Sequence, residues 1–168
     1  MNRIRKLLLN LTCLILIAVP LIAAVDWLRQ PDIPADSGQV RLTVLDGSAT
    51  TLAEMSEQRP LLVYYWAEWC PVCRLTTPVV AGMTARGENV LAVTLRSGND
   101  QHVERLMAGK KLRASGINDA DGALARRWKV AVTPTFIFVY KGKVVTTTSG
   151  WSSLWGLQLR LWLAKLGG

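Results

Sequence analysis

The chain has 168 residues, half of them hydrophobic, and a net charge of +8. That is room for one ordinary domain with a real core plus a short appendage, which excludes a disordered chain, and three cysteines are too few for a disulfide-stapled scaffold. Arg3, Arg5 and Lys6 supply three of the cations at one end and the other Lys and Arg are scattered, a distribution that argues against a nucleic-acid surface.

Residues 1–6 form a short basic N-terminus. From Leu7 to Val25 the chain is apolar except for Asn10 and Thr12. At about 1.5 Å per residue, such a helix nearly crosses a hydrocarbon layer of ~30 Å. A transmembrane anchor over 7–28 is expected, with Trp27 at the outer interface. The cations before it outnumber Arg29 beyond it, which leaves the N-terminus in the cytoplasm and exports the rest. A cleaved signal peptide is the rival reading; the apolar run is long for one and no small-x-small cleavage site precedes a mature start. Cys13, inside the run, reads as a small hydrophobe.

Residues 29–38, with two prolines, a glycine and small polar residues, have the composition of an extended linker. The folded domain is expected over 39–168. Val40 to Leu45 and Thr50 to Leu52 alternate around an Asp46-Gly47 turn, predicting an entrance hairpin, and Glu54 to Pro60 is expected to be a loop. Leu61 to Ala67 is a continuous apolar run, the pattern of a strand buried on both faces. A helix from Cys70 to about Arg86 follows, then a second buried strand over Asn89 to Arg96. A helix over Gln101 to Ala108 is capped by Asn99 or Asp100.

A glycine-containing loop then leads to a short helix from about Gly122 to Trp128. Within it Asn118 to Gly122 superficially resembles the start of a calcium loop, but Lys129 stands where the acidic twelfth ligand belongs, so a helix-capping turn is expected. Thr135 to Tyr140 and Lys143 to Thr148 form a hairpin around Lys141-Gly142. Ser152 is expected to cap a last helix whose Trp155, Leu159, Trp162, Leu163 and Leu166 make the stripe that packs on the sheet; a membrane-surface helix is the alternative. Trp66 and Trp128 are expected in the core with Trp155 and Trp162, and only Trp69 as a site residue.

The two cysteines outside the apolar run stand as Trp69-Cys70-Pro71-Val72-Cys73, where a buried strand ends and a helix begins. Unpaired N–H groups and the helix macrodipole favour an anion there, so Cys70 is the expected nucleophile. Pro71 fits the first helical turn, where its missing N–H costs nothing. Three residues of separation bring Cys73 beneath Cys70, so that it can resolve a mixed disulfide. A structural bridge over so short a loop would restrain little chain entropy. A zinc cage wants four ligands, and the exported part offers only His102 besides the pair, so no metal is expected. His102 itself reads as an ordinary exposed helix residue. Arg74 is either a solvated residue or a source of positive potential near the thiolate. A Cu(I) module using the two thiolates is a reading from another class, though no Met-rich or His-rich tract accompanies them.

The stretch LLVYYWAEWCPVC, Pro78 within the following helix and VTPTFIFVYKGK at 132–143 resemble the thioredoxin superfamily. Its membrane-tethered group related to suppressor-of-copper-sensitivity protein D is most similar in WAEWCPVCRLTTPVV, LRSGND, INDADGALARRWKVAVTPT and WGLQLRLWLA. The resemblance implies a thioredoxin-like α/β fold, a central mixed sheet flanked by helices with an N-terminal β-hairpin. It implies a thiol:disulfide oxidoreductase needing no cofactor beyond a redox-active Cys70–Cys73 disulfide. It further implies a cis peptide between Thr133 and Pro134 beside the cysteines, protein thiols as partners, and a membrane thiol transporter as electron donor. The location implied is the periplasmic side of a bacterial inner membrane, and the role a reductant in copper or redox stress. Trp69, Pro71, Val72, Thr133 and Pro134 would shape the site. Two departures stand out: Tyr64 occupies the place of a buried aspartate, and Thr76 that of a glutamate, both thought to take the buried thiol's proton. Glu68 is the candidate substitute if it leans toward the sulfurs.

Overall fold

A computed structural model describes residues 2–28 and 30–167. The chain divides into two compact units, residues 1–30 and 31–168. The first is one helix, α1 (Asn2–Leu28), with Pro20 inside it. Among the described residues no helix is long and apolar enough to cross a membrane, so α1 provides the expected helix without meeting the expectation of a span over 7–28. The side chains of Arg3 and Trp27, and Arg29 altogether, lie outside the described residues.

The second unit starts earlier than residue 39. Residues 35–38, expected to be extended linker, form with Gln39 a 3-10 turn (Ala35–Gln39) in which Ser37 and Gly38 are buried. The reason is a close approach: a Cβ at Gly38 would stand 2.2 Å from the carbonyl oxygen of Gly142, so only glycine lets this turn lie on the Lys141-Gly142 turn. Lys129 and Arg127 then pair with Asp32 and Asp36.

The entrance hairpin is present but small, β1 (Leu42–Thr43) against β2 (Ala49–Thr50). The loop expected at 54–60 instead begins with a helix, α2 (Leu52–Ser56). Thr51 and Glu54 form a reciprocal capping box at its start, a Thr-x-x-Glu signal legible in the sequence.

The central sheet has the order β5-β4-β3-β6-β7. β3 (Leu61–Trp66), β4 (Val90–Leu95) and β5 (Ser115–Asp119) are parallel, and β6 (Thr135–Tyr140) and β7 (Lys143–Ser149) run antiparallel to their neighbours. β5 replaces the expected loop; its polar sequence SGIND pairs on one side only, at the sheet's edge. The β6–β7 turn places Lys141 and Gly142 both at positive φ, as a two-residue turn between twisted strands requires.

Every residue of β3 is buried, and its side chains alternate between two cores. Leu62, Tyr64 and Trp66 face α3 (Pro71–Ala85), α4 (Asp100–Gly109) and α6 (Leu154–Leu166). Leu61, Val63 and Tyr65 face α2, α5 (Ala123–Arg127) and Trp128. Asn99 caps α4. The turn at 118–122 does cap a helix: buried Asp119 accepts the N–H groups of Leu124 and Ala125 at 3.0 and 2.8 Å.

The last helix packs with the face opposite to expectation. Ser153, not Ser152, is its cap. Leu157, Leu161 and Ala164 are buried, whereas Trp155 is 80% exposed and Leu159, Trp162, Leu163 and Leu166 are exposed with it. Two apolar stripes of helical spacing run along α6, and the one carrying small Ala164 lies against the sheet. Leu161→Ala should therefore lower unfolding stability by about 2–5 kcal/mol, and Trp155→Ala by less than about 0.5 kcal/mol, in urea titrations. The reverse order would restore the first assignment.

Candidate active site

The site is built where β3 runs out. Ala67 and the following turn lead into α3, and Cys70 is its N-cap, with extended backbone (φ −82°, ψ 114°). The Cys73 N–H donates to Cys70 Sγ at 3.1 Å, so a sulfur fills the role an Asp or Ser oxygen usually takes at a helix start. Pro71 occupies the first turn without forfeiting a hydrogen bond. Cys70 Sγ also lies 3.3 Å from the carbonyl oxygen of Thr133, which accepts its proton. The Thr133–Pro134 peptide is cis. Thus segments 63 residues apart in sequence meet at one sulfur.

Both thiols are shielded, and Cys73 lies deeper. Burial, reinforced by its hydrogen bond with Cys70, pushes the Cys73 thiol from its ordinary 9.0 up to about 12. Beneath it, the position expected to carry an acid holds Tyr64. Its hydroxyl is 2.9 Å from Thr77 Oγ1, and Thr77 in turn donates to the Cys73 carbonyl at 2.7 Å. The one proton of Thr77 is thereby used, so Tyr64 is the donor in that pair. Thr76 closes the same network, 3.0 Å from the Tyr64 oxygen. Burial raises the Tyr64 phenol well above its ordinary range. The buried proton acceptor of soluble relatives is thus replaced by a hydroxyl that keeps its proton.

Glu68 does not lean toward the sulfurs. Its carboxylate lies 2.8 Å from Nε2 of His102, and its backbone N–H donates to Ser97 Oγ. His102, which reads as ordinary in the sequence, is therefore part of the site's rim; a lone histidine 34 residues from its partner carries no signal of this. Trp69 is 56% exposed, with its indole N–H donating to the Arg96 carbonyl at 3.2 Å. Pro71 and Val72 are exposed beside it, and so is Leu75, an apolar neighbour that sequence reasoning did not single out. Arg74 is exposed on the first turn of α3. Sequence spacing brings Trp69 to Arg74 together; only the fold adds Thr133 and Pro134.

A mixed sheet flanked by helices on both faces, with a Cys-x-x-Cys pair at a helix start facing a cis-proline loop, defines a thioredoxin-like thiol:disulfide oxidoreductase architecture. The chain belongs to the Redoxin family, whose model matches residues 30–153. It is 34% identical over 166 residues to a thioredoxin-like protein of Haemophilus influenzae, covering 99% of both chains. It is 30% identical over 114 residues to the thiol:disulfide interchange protein HelX of Rhodobacter capsulatus, covering 66% of this chain and 64% of that one. Among solved structures, a secreted Mycobacterium tuberculosis disulfide oxidoreductase homologous to E. coli DsbE superposes with a TM-score of 0.63 at 22% identity. That match covers 76% of this chain and 98% of the other, and is a likeness of fold.

The protonated state of Cys73 has a measurable consequence. The folded chain holds that proton more tightly than the unfolded chain, so its contribution to stability is complete below pH 9.0 and declines as the pH rises toward 12. In a Cys70→Ser variant, where burial remains the main cause of the raised value, Cys73 should resist iodoacetamide at pH 8 and react readily after unfolding. Rapid labelling of the folded variant at pH 8 would contradict the burial argument.

Proposed function

We propose that this protein exchanges disulfides with protein thiols through Cys70 and Cys73. The Cys70 thiolate attacks a substrate disulfide, forming a mixed disulfide and releasing one substrate thiolate. That thiolate takes the proton of Cys73, because Tyr64 keeps its own and Glu68 is engaged by His102. The Cys73 thiolate then attacks Cys70 Sγ, closing the intramolecular disulfide and expelling the second substrate thiolate. Two electrons pass from the pair to the substrate, and running the steps backward oxidises a dithiol instead.

The observation that carries this reading is the sulfur of Cys70 held between the Cys73 N–H and the Thr133 carbonyl. Such a placement sets it beside the backbone of residue 133, along which an extended substrate chain can pair irrespective of side chains. Trp69, Pro71 and Val72 add an apolar rim, and Pro134 lines the opposite side.

The working direction is that of a reductant fed by a membrane thiol transporter and serving periplasmic partners under copper or redox stress. Support comes from the resemblance to the tethered group and from the basic, then apolar, run at 1–25. The α1 segment serves in this reading as an inner-membrane anchor with the N-terminus cytoplasmic.

A Cys73→Ala variant expressed in the full chain should accumulate mixed disulfides that dithiothreitol releases, and Cys70→Ala should accumulate none. Equilibration of the wild type with glutathione buffers should give a potential well below about −120 mV, the range of strong oxidants. A value near that figure would overturn the reductant direction, and absence of trapped partners would overturn the exchange reading. Separately, carbonate extraction should leave the full chain in the membrane fraction and release a chain lacking residues 1–28; release of both would remove the anchor.

A further inference from the structure

Beside the cysteine pair lies an open cleft of about 700 Å³ that the exchange chemistry does not use. Its walls come from three segments: Glu68 and Trp69 before Cys70, Arg74 on the first turn of α3, and residues 96–99 after β4 with His102 and Arg105 of α4. The charge in it is one-sided. Arg74, Arg96 and Arg105 all line it, and none of the ion pairs among the described residues takes any of the three. Glu68, the one carboxylate lining the cleft, is matched by His102 at 2.8 Å.

Two of the three cations are also held in place. Arg96 donates through Nε and Nη2 to the Asp121 carbonyl, and Arg105 through Nε to the Gln101 carbonyl. The Arg96 backbone sits at φ 45°, an uncommon conformation for a side-chain-bearing residue, and Gly122 leaves room for its guanidinium, 2.8 Å from where a Cβ would be. Gly98 lets the chain pass close to the His102 ring, at φ 105°. The N-terminus of the ten-residue α4 opens at Asn99 on the same cleft and adds positive potential. The Trp69 ring, tied to the Arg96 carbonyl, lines this cleft and is the residue directly before Cys70.

Resting on the exchange reading above, we propose that this cleft is a carboxylate subsite, selecting target disulfides that carry an Asp or Glu side chain close to the reacting cysteine. A peptide whose cystine sulfur meets Cys70 while its backbone lies along Thr133 would direct a neighbouring side chain past Trp69 toward Arg74 and Arg105. Guanidinium groups suit a carboxylate through paired N–H donors. Charge complementarity of this kind acts mainly on the rate of encounter and weakens with salt.

The test uses the reduced full chain and three disulfide peptides of one sequence, carrying Glu, Gln or Lys two residues from the cystine. Oxidation of the protein is followed by stopped-flow tryptophan fluorescence. At low salt the Glu peptide should react about fivefold faster than the Gln peptide, and the Lys peptide slower than both. The Glu-to-Gln ratio should fall toward one in 0.5 M salt and in the Arg74→Gln/Arg105→Gln double variant, while Arg74→Lys/Arg105→Lys keeps most of it. Equal rates for the three peptides on wild type, or a ratio unchanged in the Gln double variant, would overturn the subsite. Glutathione disulfide is the small-molecule arm: if its rate drops in the Gln double variant while the peptide ratio does not, the cleft serves small disulfides and the peptide proposal fails. Failure of every disulfide to oxidise the protein would instead sink the exchange reading itself.

Discussion

The helix start at Cys70 is the constraint on which the site depends. A buried strand must end, its last carbonyls and the first N–H groups of the next helix must find partners, and the sulfur of Cys70 fills one of those roles by accepting the Cys73 N–H. That single contact fixes the spacing of the two thiols and turns the second one inward beneath the first. Its consequences reach the far side of the sheet. β6 lies antiparallel beside β3, so the loop before it arrives at the same end of the sheet and brings Thr133 within 3.3 Å of the sulfur.

The two thiols are made unequal by depth rather than by chemistry. Cys73 is kept protonated by burial, and the groups beneath it are hydroxyls in a closed network rather than a carboxylate. A buried carboxylate would have needed its own desolvation cost met; the Tyr64–Thr76–Thr77 set satisfies its polar atoms locally and stacks the tyrosine ring on Phe136 at 5.2 Å. Proton movement in this site is thus left to the thiols and their substrate, and the charged residues are displaced to the rim. There Glu68 is hydrogen-bonded to His102 while three arginines have no carboxylate partner among the described ion pairs, which separates the place where sulfur chemistry occurs from the place where charge is recognised.

Much of this was legible along the chain. The continuous apolar run of β3, the caps of α4 and α6 to within a residue, the β6–β7 turn and the Cys-x-x-Cys junction all follow from local rules. The Thr51–Glu54 capping box is equally local, a Thr-x-x-Glu pattern at the start of a helix of only five residues. β5 was not legible: SGIND has neither the alternation nor the apolar content of a strand and forms only because β4 offers it an edge. The 3-10 turn at 35–39 likewise has a linker's composition and is ordered by its fit against Gly142.

What the sequence by itself determined is the buried strands β3, β4 and β6, the helices α3, α4 and α6 and the chemistry at positions 70 and 73, because helix capping, strand burial and turn geometry depend on near neighbours in the chain. The tertiary structure alone decided which face of α6 is buried, since LWGLQLRLWLAKL offers two apolar stripes and only the surface it meets chooses between them. It alone decided that Glu68 turns to His102 and that Arg74, Arg96 and Arg105 gather on one cleft. Those residues are apart in the chain, and their proximity is a property of the parallel sheet that carries them to one end.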